Sequence, residues 1–252
     1  MGMEPLSDKI LVSAVREFFA QPSIRQPLEQ LARRLPSRAD VLVAGGALRN
    51  LFIAAIHGSA PPTCDIDVFI GGLPADFPLA DALTGWALEV TDLQGLRWRP
   101  AASGYAFDLC LLPRFVVIER LGLSADLENF LLGIDFSVNA AVYQAKTGSV
   151  FQRGSIEAVK RRVIDFNSGL VADRDIMIYR NFLLAHKTGF QISEPVFTFL
   201  RRYLDLETMN WLDSVNRGKH GKKRAAAIRR DYEAVARAST YEGYLASRLA
   251  GR

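Results

Sequence analysis

The chain has 252 residues, enough for a sizeable core in one large domain or two small ones. Its 49% apolar and 23% charged residues are ordinary for a globular protein and exclude a low-complexity chain. No run of 18 or more apolar residues occurs, which excludes a helical membrane span. The net charge of +4 leans basic and suits a polyanionic partner.

The first residues, 1–8, show no basic segment leading into an apolar run, so no secretory signal is expected. Cys64 and Cys110 both lie in apolar runs and read as buried thiols of a reducing, cytoplasmic protein. With only three scattered histidines, His57, His186 and His220, a structural zinc site is not expected.

Helical spacing of Ile10, Leu11, Ala14, Val15, Phe18 and Phe19 predicts a helix over 6–20. Leu28, Leu31 and Leu35 predict a second over 24–35, stopped by Pro36. Val41, Leu42 and Val43 form a short apolar strand running into Gly45-Gly46, and a helix over 47–57 follows. After Pro61-Pro62, residues 64–70 read as a strand with acidic residues at alternate positions. A short helix over 76–84, strands over 88–91 and 105–112, a strand over 137–144 and a partner at Val150-Phe151 complete the mixed part. From Ser155 the pattern is helical: 173–188, 195–204, 207–215 and 222–238. The expected organisation is an α+β domain over 1–150 and a helical domain over 151–252.

Three features carry chemistry. Asp65 and Asp67 are two apart on a strand, so both point to one face. Carboxylates that close repel unless a cation lies between them. Two Mg2+ (or Mn2+) ions about 4 Å apart are a common solution for phosphoryl and nucleotidyl transfer. The bland alternative is a solvated Asp-x-Asp. Gly45-Gly46 at the start of a helix allows close backbone approach to a phosphate, with N–H groups and the positive dipole end facing it; Arg49 can add a cation. The alternative is a tight turn that needs glycine for its conformation. Asp108, inside the apolar run 105–112, either completes the metal site and accepts the proton of an attacking hydroxyl, or meets solvent or an arginine such as Arg97, Arg99 or Arg114.

The order of these features resembles the palm of polymerase-β-like nucleotidyltransferases, and more specifically the class II CCA-adding enzymes and bacterial poly(A) polymerases. Val43 to Asn50 is similar to the family's Gly-Gly-x-x-Arg-Asp motif, and Cys64 to Val68 to its Asp-x-Asp strand. Asp135 to Ala140 resembles its Arg-Arg-Asp-Phe-Thr-x-Asn-Ala motif. Residues 159–164, with Arg161 and Arg162, resemble the segment that follows, and 173–190 the Glu-Asp-x-x-Arg-x-x-Arg helix that runs to Gly-Phe. The resemblance implies a small mixed palm sheet followed by an all-helical domain. It implies a metal-dependent enzyme that transfers a nucleoside monophosphate from a nucleoside triphosphate to an acceptor hydroxyl, foremost an RNA 3′ end. By the same resemblance, Asp65, Asp67 and Asp108 are catalytic and hold the metal; Gly45, Gly46, Arg49, Asp135, Asn139, Arg174 and Arg180 bind the nucleotide. Asp135 and Asn139 would hold the ribose.

The sequence departs from the family at several points. Asn50 replaces an aspartate, and Gly133 and Ile134 stand where two arginines are expected. In the base-reading helix Arg174 replaces the aspartate and Met177 an arginine; only Arg180 matches. Planar readout of a base needs fixed donors and acceptors, and a thioether supplies neither, so weak base selectivity is expected. By this resemblance, the family's further helical body and tail are expected to be reduced here to a short basic segment. A basic segment at Arg217, Lys219, Lys222, Lys223, Arg224, Arg229 and Arg230 reads either as an RNA backbone contact or as a solvated helix face. Two further readings stay open: a non-catalytic nucleotide-binding regulatory module of the same fold, and transfer to a protein or small molecule.

Overall fold

The computed structural model describes residues 2–91 and 95–250, the last two without their side chains. It divides into two compact units. One comprises the chain to Arg161 together with Asn167–Ala172, and the other Arg162–Phe166 together with the chain from Asp173 on. The division therefore falls later than residue 150.

The first unit is built on an eight-stranded mixed sheet of β1 (Glu4–Pro5), β2 (Asp40–Ala44), β3 (Asp65–Gly71), β4 (Leu88–Val90), β5 (Leu96–Trp98), β6 (Ala106–Leu111), β7 (Ala141–Gln144) and β8 (Ser149–Gln152), in the order β1-β8-β7-β2-β3-β6-β5-β4. β3 and β6 run parallel; the other neighbours are antiparallel. Its helices are α1 (Lys9–Ala20), α2 (Pro22–Arg34), α3 (Gly46–His57), α4 (Leu79–Ala82), α5 (Val116–Leu121), α6 (Leu127–Gly133) and α7 (Ser155–Arg161).

Local chemistry sets the helix starts. The Asp8 carboxylate accepts from the N–H groups of Ile10 and Leu11, which places the start of α1 three residues later than the apolar spacing suggests. Pro22 opens α2, where a missing N–H costs nothing.

Strand alternation gives the sheet two different faces. On one, Leu42, Ala44 and Val142 pack with Ile118 of α5 and with Phe130 and Leu131 of α6, and Phe69 joins them. On the other, Val43 and Tyr143 lie side by side, and Tyr143 stacks on Phe19 of α1 with ring centroids 3.8 Å apart. Phe52, Phe107, Phe130 and Phe136 are fully buried; each such ring contributes about 1.5–3 kcal/mol by leaving water.

Residues 137–139, expected as the start of a strand, form a 3-10 turn, and β7 begins only at Ala141. The turn carries Asn139 inward, as described below. Several elements had no counterpart in the sequence reading, among them β1, β5, α5 and α6 in this unit. α4 is a single turn rather than the helix expected over 76–84.

The second unit is helical but for one short parallel pair, β9 (Val163–Ile164) with β10 (Gln191–Ile192). Its helices are α8 (Arg174–Thr188), α9 (Glu194–Tyr203), α10 (Leu206–Arg237) and α11 (Tyr241–Ala250). Asp173 caps α8 by accepting from the Ile176 N–H. Gly221, at φ 75° and ψ 166°, breaks α10. The two helices expected over 207–215 and 222–238 are thus its two halves.

Candidate active site

The site grows from the end of β2. Ala44 pairs with Asp67 of β3, Asp67 with Asp108 of β6, Asp108 with Arg97 of β5, and Arg97 with Glu89 of β4. Residues opposite one another share a face, so one lateral row carries Asp67, Asp108, Arg97 and Glu89 in succession beside Ala44. Asp65 lies two residues back along β3 on the same face and is exposed; Asp67 is half-buried. The expectation that both carboxylates point one way holds. Two residues further on, Phe69 turns its ring against Phe115 and Phe130. The acidic pair therefore sits where β3 emerges from the apolar cluster.

Gly45 adjoins this row. Its φ of 74° and ψ of −133° form a backbone conformation natural only to glycine. A Cβ on residue 45 would lie 2.7 Å from Asp67 Oδ2. The carboxylate thus rests against a glycine backbone at the first turn of α3, where Gly45 itself holds the N-cap position.

Asp108 has a defined partner. Arg97 donates from Nε to Asp108 Oδ1 and from a terminal nitrogen to Oδ2, both at 2.6 Å. The pair is bidentate and partly screened from water, with side chains 32% and 23% exposed. Hydrogen bonding to Asp108 raises the Arg97 pKa above the ordinary guanidinium range. Of the three arginines near it in sequence, Arg99 instead pairs with Glu89 at 2.7 Å and Arg114 with Glu119 at 2.6 Å. Among the described residues, no three His, Cys, Asp or Glu side chains form a group that could hold a metal ion. Mg2+ is commonly held by one or two carboxylates plus phosphate oxygens. Asp65 and Asp67 fit that donor set, whereas both oxygens of Asp108 are engaged by Arg97.

Arg49 is placed differently from its sequence expectation. It is 7% exposed and serves as an internal brace. Nε and one terminal nitrogen donate to Asn50 Oδ1 at 3.1 and 2.9 Å; the other terminal nitrogen donates to Asn139 Oδ1 at 2.8 Å. Asn139 donates in turn to Asp135 Oδ1 at 3.3 Å, which also accepts from the Phe136 N–H. Asn50 donates to Thr63 Oγ1. Arg49, Asp135 and Asn139 are thus brought together, joined to the glycine turn by α3. This network explains the 3-10 turn, because a strand at 137–139 would not carry the Asn139 amide onto Arg49.

The substitutions at Gly133 and Ile134 have a packing cause. A Cβ at residue 133 would lie 3.0–3.1 Å from Phe115 and Val117, and Ile134 is buried in the cluster under α5 and α6. These positions belong to the core, where an arginine would bury an unpaired charge.

Arg174 and Arg180 are exposed on α8, in the second unit. Arg174 pairs with Asp175 at 2.8 Å and lies over the Tyr203 ring, and Met177 is buried. In the basic segment, Asp213 takes both Arg217 and Arg229, so those two cations are partly neutralised within the helix pair. Cys64 is exposed, contrary to its expected burial, because it precedes β3 instead of lying within it.

Sequence reasoning missed β5 and therefore the register that puts Arg97 on Asp108. The only local signal was Leu96 and Trp98 flanking Arg97 in alternation.

Structures already solved share this architecture. A CCA-adding enzyme with CTP has a TM-score of 0.60 at 18% identity, over 92% of this chain and 56% of that one. The Thermotoga maritima CCA-adding enzyme complexed with tRNA gives 0.59 at 17%, over 92% and 55%. A tRNA-processing enzyme in an apo form gives 0.54 at 15%, over 91% and 57%. The chain has the fold of the CCA-adding enzymes. It spans little more than half the length of these structures. No family model and no curated protein matches the sequence. In this CCA-adding fold, no helix of the described residues is long and apolar enough to cross a membrane.

Proposed function

We propose that this chain is a metal-dependent nucleotidyltransferase that moves a nucleoside monophosphate from a nucleoside triphosphate to an acceptor hydroxyl, an RNA 3′ end, with pyrophosphate as the leaving group. One observation carries the reading: Asp65 and Asp67 share a face, and Asp67 rests on Gly45 at the start of α3. Solved structures of the same fold include a CCA-adding enzyme with CTP, one with ATP and one complexed with tRNA, which supports a triphosphate and RNA as partners here.

Asp65 and Asp67 would hold Mg2+ or Mn2+, which when bound neutralises the carboxylates and phosphate oxygens. Gly45 and Gly46 let the triphosphate approach the backbone, where the amides and dipole of α3 favour its charge. Arg49 fixes the glycine turn through Asn50 and Asn139 and is assigned this positioning role in place of direct phosphate contact. Asp135 and Asn139 line the same network and would meet the ribose through it. Asp108, with both oxygens on Arg97, acts through its field. Arg174 and Arg180 are the base-side candidates; with Met177 buried, base selectivity is expected to be weak.

The Arg97–Asp108 pair favours a second reading, a nucleotide-binding module without turnover, because it occupies a carboxylate expected to serve catalysis. Incubation with Mg2+ or Mn2+, labelled triphosphates and total cellular RNA separates the two. Transfer of label that disappears in Asp65→Ala and Asp67→Ala is the expected result. Transfer that survives both substitutions removes the metal assignment. Triphosphate binding without transfer to RNA, protein or small-molecule acceptors supports the second reading.

A further inference from the structure

We propose that the Arg97 guanidinium takes the place of one of two divalent cations at the carboxylate row, so that the site loads a single ion, on Asp65 and Asp67. The inference rests on the nucleotidyltransferase reading of the site and specifies how its negative charge is balanced.

The row presents Asp67 and Asp108 side by side in register on β3 and β6, with Asp65 next along β3. Three carboxylates on neighbouring positions of one face would ordinarily demand two dications. Here one positive group is built into the fold. Arg97 stands directly opposite Asp108 and meets both of its oxygens at 2.6 Å. A guanidinium cannot shed its charge under any condition in which the protein is folded, and the raised pKa of Arg97 reinforces this. A dication on Asp108 would sit beside a fixed positive charge and would have to give up or share oxygens already bonded.

Arg97 is also held in place. Its neighbour Trp98 is 6% exposed and stacks on Trp86 with ring centroids 3.8 Å apart, which anchors β5. Glu89, the other carboxylate in register with Arg97, pairs with Arg99 and adds only the smallest of the carboxylate attractions on Arg97. Asp65 contributes a further attraction on Arg97, in keeping with one shared patch of charge. Asp65 is exposed at the start of β3, and Asp67, half-buried, lies beside Gly45.

Titration with Mn2+, read by the electron paramagnetic resonance of free and bound ion, tests the inference without reference to turnover. The wild-type chain is expected to bind about one Mn2+ with no spin-coupled pair, and Arg97→Gln about two, spin-coupled at the spacing of a two-metal centre. Arg97→Lys keeps the charge and should stay at one. Asp108→Asn, in an otherwise wild-type chain, should also stay at one. These last two arms leave the inference open to refutation even where Arg97→Gln fails to fold. Two coupled ions or none in the wild type, a second ion in Arg97→Lys, no gain in folded Arg97→Gln, or loss of the ion in Asp108→Asn would each overturn the inference. A wild-type chain that holds one Mn2+ yet transfers no label retains it and removes the enzyme reading alone.

Discussion

Gly45 and Asp67 are in contact: the position a Cβ would take on residue 45 is 2.7 Å from Asp67 Oδ2. The glycine is fixed twice over, by its positive φ and by the carboxylate against it. Ala44, one residue earlier, pairs with Asp67 across β2 and β3. The sheet register thus delivers an acidic group to the one turn in this region that has no side chain to obstruct it.

Gly45→Ala should therefore abolish the nucleotidyl transfer proposed above and lower stability by about 1–3 kcal/mol, the usual cost of a strained backbone position. At Gly46 an added Cβ meets only the flexible end of Arg49, at 3.5 Å, and the φ is not positive. Gly46→Ala should leave the melting temperature close to wild type. Thermal melts of the two variants check this; equal destabilisation would show that the Asp67 contact does not set the requirement.

Arg49→Met removes three donors from two buried amide oxygens and should cost about 1.5–3 kcal/mol. Asn50→Asp should act in the opposite sense, since a carboxylate would take the same two guanidinium donors as a charge-assisted pair while the Thr63 hydroxyl turns to donate. The expected reading is a lower urea midpoint for the first and a higher one for the second. A lower midpoint for Asn50→Asp would mean that burying the new charge outweighs the pair.

The two thiols should differ sharply in reactivity. Burial pushes Cys110 up to about 11, and its Sγ donates to the Leu111 carbonyl, whereas Cys64 is exposed. Only the thiolate reacts, so iodoacetamide at about pH 8 should modify Cys64 and spare Cys110 until the chain is denatured. Peptide mass mapping gives the answer directly. The same shift makes Cys110 cost stability in alkali. It stays neutral in the folded state, while the unfolded thiol ionises from its ordinary 9.0, so stability declines as pH rises from there towards 11.

His186 and His220, on α8 and α10, are both lowered from 6.5, chiefly by burial and then by nearby cations such as Arg224. Each holds a proton less readily in the folded chain than in the unfolded one, so at pH values below about 6.5 unfolding takes up protons. Their contribution is complete above 6.5 and is lost as pH falls below it. The melting temperature of the wild type should drop on acidification through this range more steeply than that of a His186→Gln/His220→Gln double variant. Parallel curves would show that these rings carry no part of the acid sensitivity.

Period-two alternation made the shared face of Asp65 and Asp67 legible, because it needs only one strand. The glycine turn was legible for the same local reason, as were most helices of the second unit, whose apolar spacing and capping residues lie within a few positions of each other. Arg97 was not, since its pairing with Asp108 depends on the register of two strands joined through a loop, and nothing local fixes which of three arginines arrives. The bracing contacts of Arg49 were not legible for a related reason: Asn139, which takes one of its donors, lies ninety positions later and arrives only on folding.

What the sequence determined by itself is therefore the kind of chemistry available: a glycine turn, an acidic pair aimed one way and a third carboxylate on a later strand. Tertiary structure decided how the charges are balanced. It gave Asp108 to Arg97, turned Arg49 inward as a brace and made core positions of Gly133 and Ile134. The physical reason is range. Conformational preferences act between neighbours in the chain, whereas electrostatic pairing and burial act between neighbours in space, which the chain acquires only on folding.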